Sequence, residues 1–138
     1  CAQVPWDASV ENVDYMKWLA DMANKLRMTD TKVIFRPHPK ARLNPIPGLD
    51  YSTEPLKVDL ENASSLVTFN SNSSVEAVIE GIPVVVFDEG AMSWDVASHS
   101  LKEPFKMGDR EQWINDLAYS QWTLEEMRSG EAWAHLTR

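Results

Sequence analysis

The sequence predicts an α/β fold, a doubly wound parallel sheet within a single domain, and three observations carry that expectation. Ser65-Leu66-Val67-Thr68-Phe69 and Pro83-Val84-Val85-Val86-Phe87 are short apolar runs without alternation, as strands covered by helices on both faces require. Between residues 10 and 26 the apolar side chains Val10, Val13, Met16, Leu19, Met22 and Leu26 recur every three to four positions, the spacing of one buried helical face. Strand-like and helix-like segments alternate along the chain instead of segregating, the order of an α/β domain.

Taken in order, Cys1-Ala2-Gln3-Val4 reads as the end of a strand already under way, so the chain is expected to be a piece of something longer. The first helix should start just after Pro5-Trp6, with Asp7 or Ser9 accepting its free amide hydrogens and Glu11 and Asp14 favouring its positive end. Lys32-Val33-Ile34-Phe35-Arg36 is a β-branched and aromatic strand stopped by Pro37 and Pro39, which cannot donate to a ladder. Pro45, Pro47 and Gly48 then break any regular pattern, leaving at most a short strand at residues 50–52. Residues 58–63 alternate as a strand would, but their acidic start and short length favour one or two helical turns. Ser73-Ser74-Val75-Glu76 has the form of a capping box opening a helix that Gly81 and Pro83 close. Two more such boxes, Asp109-Arg110-Glu111-Gln112 and Thr123-Leu124-Glu125-Glu126, predict two C-terminal helices in the region 109–138, which carries Trp113, Trp122 and Trp133. Nothing marks a linker between two domains.

The chain has 138 residues, 43% hydrophobic and 25% charged, the mixture of one folded domain. A net charge of −8 argues against nucleic acid or an anionic membrane as a partner, since both demand a basic surface. Lys32, Arg36, Lys40 and Arg42 form a local exception suited to one small anion. A single cysteine, Cys1, forms no internal disulfide, which fits a cytoplasmic setting, and no apolar run approaches the roughly 18 residues of a membrane span.

Two loops stand at expected strand ends, where ligands bind in open α/β sheets. Arg36-Pro37-His38-Pro39-Lys40 holds a guanidinium, an imidazole and an ammonium on a rigid turn, donors suited to phosphate or a sugar hydroxyl; the plainer reading is a solvated turn. Asn70-Ser71-Asn72-Ser73-Ser74-Val75-Glu76-Ala77 opens a helix at Ser73-Ser74, whose unpaired N–H groups and dipole attract anions; the plainer reading is Ser73 as a cap with Glu76 reaching back to it.

With Gly81-Ile82-Pro83-Val84, these segments resemble the C-terminal domain of GT-B glycosyltransferases, above all the capsule-polysaccharide type that includes Kdo transferases. Teichoic-acid glycerophosphotransferases and non-hydrolysing UDP-N-acetylglucosamine 2-epimerases are more distant. The resemblance covers residues 32–87 well and the remainder by element order alone. It implies a Rossmann-like domain that binds the nucleotide of an activated sugar, with His38, Ser73 and Ser74 on phosphate and Glu76 on ribose. Arg36, Lys40 and Asn72 complete the candidate set, and Gln3 and Asp7, on the first strand-to-helix loop, are candidate cleft contacts, Asp7 alternatively serving as a plain cap. An N-terminal domain outside this chain would carry the glycan or lipid-linked acceptor and the general base. This half would bind nucleotide without turnover, with no cofactor beyond the nucleotide-sugar substrate. The alternatives are a nucleotide-sugar 2-epimerase domain and a non-catalytic assembly domain. No Gly-x-Gly-x-x-Gly or Walker loop occurs, and His38, His99 and His135 are too scattered for a structural zinc site, so no metal is expected.

Overall fold

The computed structural model describes residues 1–41, 43–102, 105 and 107–137. Arg42, part of the basic cluster, lies outside the described residues. The chain divides into two compact units, Cys1–Gly108 and Asp109–Arg138.

Helix α1 spans Tyr15–Arg27 and so begins later than expected. Two aspartates divide the entry: Asp7 accepts from the Ser9 N–H (2.9 Å) and caps a 3-10 turn, Ala8–Val10, while Asp14 accepts from the Lys17 N–H (3.0 Å) and caps α1 itself. The later start rotates the buried face. Tyr15, Trp18, Leu19, Met22, Ala23 and Leu26, spaced by three and four, turn inward, whereas Val13 and Met16, expected inside, are 41% and 50% exposed.

Strand β1 (Ile34–Phe35) pairs in parallel with β2 (Asp50–Tyr51), and β3 (Leu66–Val67) pairs in parallel with β4 (Val84–Val85). Ile34 stands opposite Asp50 and Leu66 opposite Val84. The regular ladders are shorter than the apolar runs predicted, but the Thr68 N–H still donates to Val85 O (3.0 Å) and the Phe87 N–H to Phe69 O (2.9 Å). Ser98 forms a parallel bridge to Val85 on the far edge of β4. Residues 1 and 2 run between the two sheets: the Ala2 N–H donates to Arg36 O (2.8 Å) and the Cys1 amino group to Val67 O (2.8 Å). The molecule is thus mixed α/β with parallel pairing.

Helix α2 (Leu56–Glu61) starts two residues before the predicted turns, directly after Pro55, whose fixed φ suits a helix entry. Helix α3 (Ser73–Ile79) packs on β3 and β4, and Gly81, at φ 82°, makes the left-handed turn that follows it. Val78, Val84, Val85 and Val86 are at most 1% exposed, each worth about 1.5–3 kcal/mol by burial. Beside them Tyr15, Trp18, Phe69 and Phe87 form an aromatic cluster with ring centroids 5.1–6.1 Å apart.

In the second unit α4 spans Arg110–Tyr119. Asp109 caps it through the Gln112 N–H (3.0 Å), but the Gln112 amide bonds forward to Asp116 (2.8 Å), so this box is not reciprocal. Helix α5 (Leu124–Ser129) has the complete Thr123/Glu126 box. Gly130, at φ 85°, breaks what was expected to be one last helix, and α6 (Glu131–Leu136) follows. Three helices therefore replace the predicted two. Trp122 packs on His135 with ring centroids 5.1 Å apart.

Candidate functional site

The polar groups at the carboxyl ends of the strands are tied together by Gln3, which is 8% exposed. Its N–H donates to the Tyr15 hydroxyl (2.7 Å), its Oε1 accepts from the Asn70 N–H (3.0 Å), and its Nε2 donates to Ser9 Oγ (3.2 Å). Asn70, just past β3, donates through Nδ2 to Ser9 O (3.1 Å) and to the Asp88 carboxylate, just past β4. Both of those partners are acceptors, which fixes the amide orientation and leaves Asn70 Oδ1 buried without a hydrogen-bond partner among the described residues. An orphaned acceptor of this kind costs about 1–3 kcal/mol unless a donor arrives.

Arg36 does not stand free for a ligand. Its guanidinium pairs with Asp59 (2.7 Å) and also donates to Glu54 O, the two charged side chains being only 15% and 17% exposed. Asp59 in turn accepts from Ser52 Oγ (2.8 Å). The pair fastens the end of β1 to α2. His38 is half-buried and uses Nδ1 to accept the Lys40 N–H (3.1 Å), the Asx-like turn that two prolines impose; Lys40 is exposed. His38 lines a cavity of about 450 Å³ with Pro37, Pro39, Leu43 and Tyr51. Neither Ser73 nor Ser74 lines that cavity.

The first loop connects the two motifs. Asp7, fully exposed, is held below its ordinary carboxyl pKa first by hydrogen bonds from Ser9 and then by the nearby charges of His38 and Lys40. Ser9 on the same loop bonds Gln3 and Asn70. Asp7 thus fills the capping role on its 3-10 turn while standing beside His38 and Lys40.

The start of α3 differs from a capping box. Its N-cap is Asn72, exposed and without a side-chain cap bond, and the Ser73 hydroxyl turns to Ser71 Oγ (3.1 Å) instead. The helix-start N–H groups are already occupied: Ser73 N–H by Ser71 Oγ, Ser74 N–H by Ser71 O, Val75 N–H by Asn72 O. Ser74 is 1% exposed, its hydroxyl donating to Ser71 O (2.8 Å) and accepting from Ser93 Oγ (2.7 Å). Glu76 is exposed, and no cap bond commits it. The Ser71 hydroxyl, which accepts from both the N–H and the hydroxyl of Ser73, keeps its own hydrogen as the donor this turn presents.

Asn70 and Asp88 carry the network; Asn70 opens the segment that the sequence singles out, but neither residue stands among the individual contacts expected from it. The signal was their shared position directly after an apolar run, at matching strand ends. His99 stacks on Trp94 at 3.5 Å and contacts its carbonyl, a packed pair outside this network. Among the described residues no three His, Cys, Asp or Glu gather as a metal ion would need, and no helix is long and apolar enough to cross a membrane. No protein-family model, curated protein or solved structure matches the chain.

Proposed function

We propose that this chain is the donor-binding half of a glycosyltransferase, holding a nucleotide-activated sugar for transfer to a glycan or related acceptor carried by another domain. The observation that carries the reading is the Gln3–Asn70 hydrogen bond with the orphaned Asn70 Oδ1 beside it. If the two sheets are halves of one doubly wound, Rossmann-like sheet with residues 1–3 as its central strand, the order runs β2, β1, residues 1–3, β3, β4, Ser98. Chain direction then reverses its lateral progress between residues 1–3 and β3, where Gln3 meets Asn70. Open α/β sheets bind their ligands at such a switch point.

In this reading the Asn70 side chain turns its buried, unpartnered Oδ1 out to a hydroxyl of the donor, a role that suits a ribose or sugar. His38 and Lys40 supply the positive charge for the phosphates, and Ser71 adds a hydroxyl donor backed by the Ser73 hydroxyl. Glu76, free of a capping duty, takes the ribose, while Asp7 orients the His38 loop. Arg36 and Ser74 act by holding β1 and α3 in place. Isothermal titration of the chain with CMP, CDP, UDP and GDP tests this. Binding of at least one nucleotide that is weakened about tenfold in His38→Ala is expected, and no heat from any of them contradicts the reading.

A further inference from the structure

Lateral hydrogen bonding in a parallel sheet alternates residue by residue, and that alternation identifies which backbone groups of β1 and β3 face each other across the molecule. Val33 O and Phe35 O accept from β2, so Ile34 and Arg36 present their N–H and C=O groups to the opposite edge, where Arg36 O takes the Ala2 N–H. The Leu66 and Thr68 N–H groups donate to β4, so Val67 presents the other edge, where its carbonyl takes the Cys1 amino group. Residues 1 and 2 therefore occupy one end of a gap two strand spacings wide, about 9.6 Å. Beyond Cys1 that gap continues as a slot between Ile34 and Val67, and the N–H groups of Ile34, Arg36 and Val67 have no partner there among the described residues.

The slot opens into a cavity of about 540 Å³. Its walls are mostly apolar, with Trp18, Met22 and Leu26 of α1 on one side and Leu56 and Leu60 of α2 on another, and the Arg36–Asp59 pair also lines it. Cys1 lines it at the end where residues 1–3 enter. We infer that this slot is the seat of a β-strand: an extended, apolar polypeptide segment parallel to β1 and β3 and in line with Cys1. The two open edges supply donors and acceptors on both sides, which an apolar small molecule would leave unmet. The same edges require a peptide backbone at the strand spacing, and the helices require β-branched or aromatic side chains on both faces. The Cys1 nitrogen itself already sits where a strand amide would, on a half-buried residue, with its pKa lowered to about 5 chiefly by loss of water; an amide there would donate the same bond to Val67 O without a charge to desolvate. The ladder geometry alone defines this seat, independently of what binds at the opposite, carboxyl ends of the strands.

The test compares three chains: the N-acetylated protein, the protein preceded by a five-residue Val/Ile segment, and the protein preceded by a Gly/Ser segment of equal length. A fourth, preceded by alternating Thr and Val, keeps the strand propensity should the Val/Ile form aggregate. Amide hydrogen exchange at Ile34, Arg36 and Val67 is the readout. Slowing at these three amides by at least about tenfold with the β-branched segments, and none with Gly/Ser relative to the acetylated chain, is expected. Equal exchange in all of the chains, or equal slowing by the Gly/Ser segment, would overturn the inference.

Discussion

The Asn70 N–H donates to the side-chain carbonyl of Gln3 at 3.0 Å, while the Gln3 N–H donates to the Tyr15 hydroxyl at 2.7 Å. One buried residue thereby joins the end of the N-terminal segment, the end of β3 and the aromatic cluster. Gln3→Leu keeps the volume but strands the Asn70 N–H. It should destabilise the first unit by about 1–3 kcal/mol in urea unfolding and speed exchange at the Asn70 amide. Wild-type exchange at Asn70 in the variant would show that the bond is idle.

Arg36 and His38 lie two residues apart and should respond in opposite ways. Arg36→Met leaves Asp59 as an uncompensated charge in a pair that is only 15% and 17% exposed, at a cost of about 3 kcal/mol. Arg36→Met with Asp59→Leu should recover most of that loss. His38→Ala and Lys40→Ala, which break no ion pair among the described residues, should leave stability within about 0.5 kcal/mol. Each should nevertheless weaken nucleotide binding about tenfold, the worth of one charge-assisted hydrogen bond. Urea titration paired with calorimetry separates the two classes.

The half-buried Cys1 amino group gives the 138-residue chain a defined pH response. Its pKa falls from 8.0 in the unfolded chain to about 5 in the folded one, so between those values the unfolded state binds more protons and stability rises with pH. Going from pH 8 down towards pH 5 should therefore destabilise the chain progressively as the amine takes up its proton in the unfolded state first. Acetylating Cys1 removes the titrating group. Urea midpoints measured across this range should slope for the free amine and lose that component on acetylation.

In the second unit the break at Gly130 is set by its φ of 85°, with nothing within 4 Å of where a Cβ would stand. Gly130→Ala thus tests backbone strain without a clash and should cost about 1 kcal/mol. Thr123→Ala removes the complete Thr123/Glu126 capping box and should cost a similar amount, about 1 kcal/mol, in the same unit. Loss of helical circular dichroism on heating reads both.

How far the sequence could be read varies along the chain. The apolar runs at residues 65–69 and 83–87 identified β3 and β4 because burial on both faces erases alternation. The face of α1 was misread because Asp7 and Asp14 are equally good caps, and only packing chose Asp14 for the helix and gave Asp7 to the turn before it. Arg36 was legible as a charge at a strand end, but its partner Asp59 lies 23 residues away, beyond any local pattern. Ser73 and Glu76 had the capping-box spacing, yet the chain enters α3 through a helical Asn72 and the bond is not made. Asn70 was invisible as a hub since its three connections reach Gln3, Ser9 and Asp88 through tertiary structure.

The proposal that a nucleotide-activated sugar binds at these strand ends is tested most directly by following backbone amides in NMR spectra during titration with CMP, CDP, UDP and GDP. Shifts that saturate at His38, Lys40, Asn70 and Ser73, with the far ends of the strands near Ile34 and Leu66 unmoved, are the predicted result. Spectra unchanged by all four nucleotides, or shifts confined to residues remote from Asn70, would contradict it.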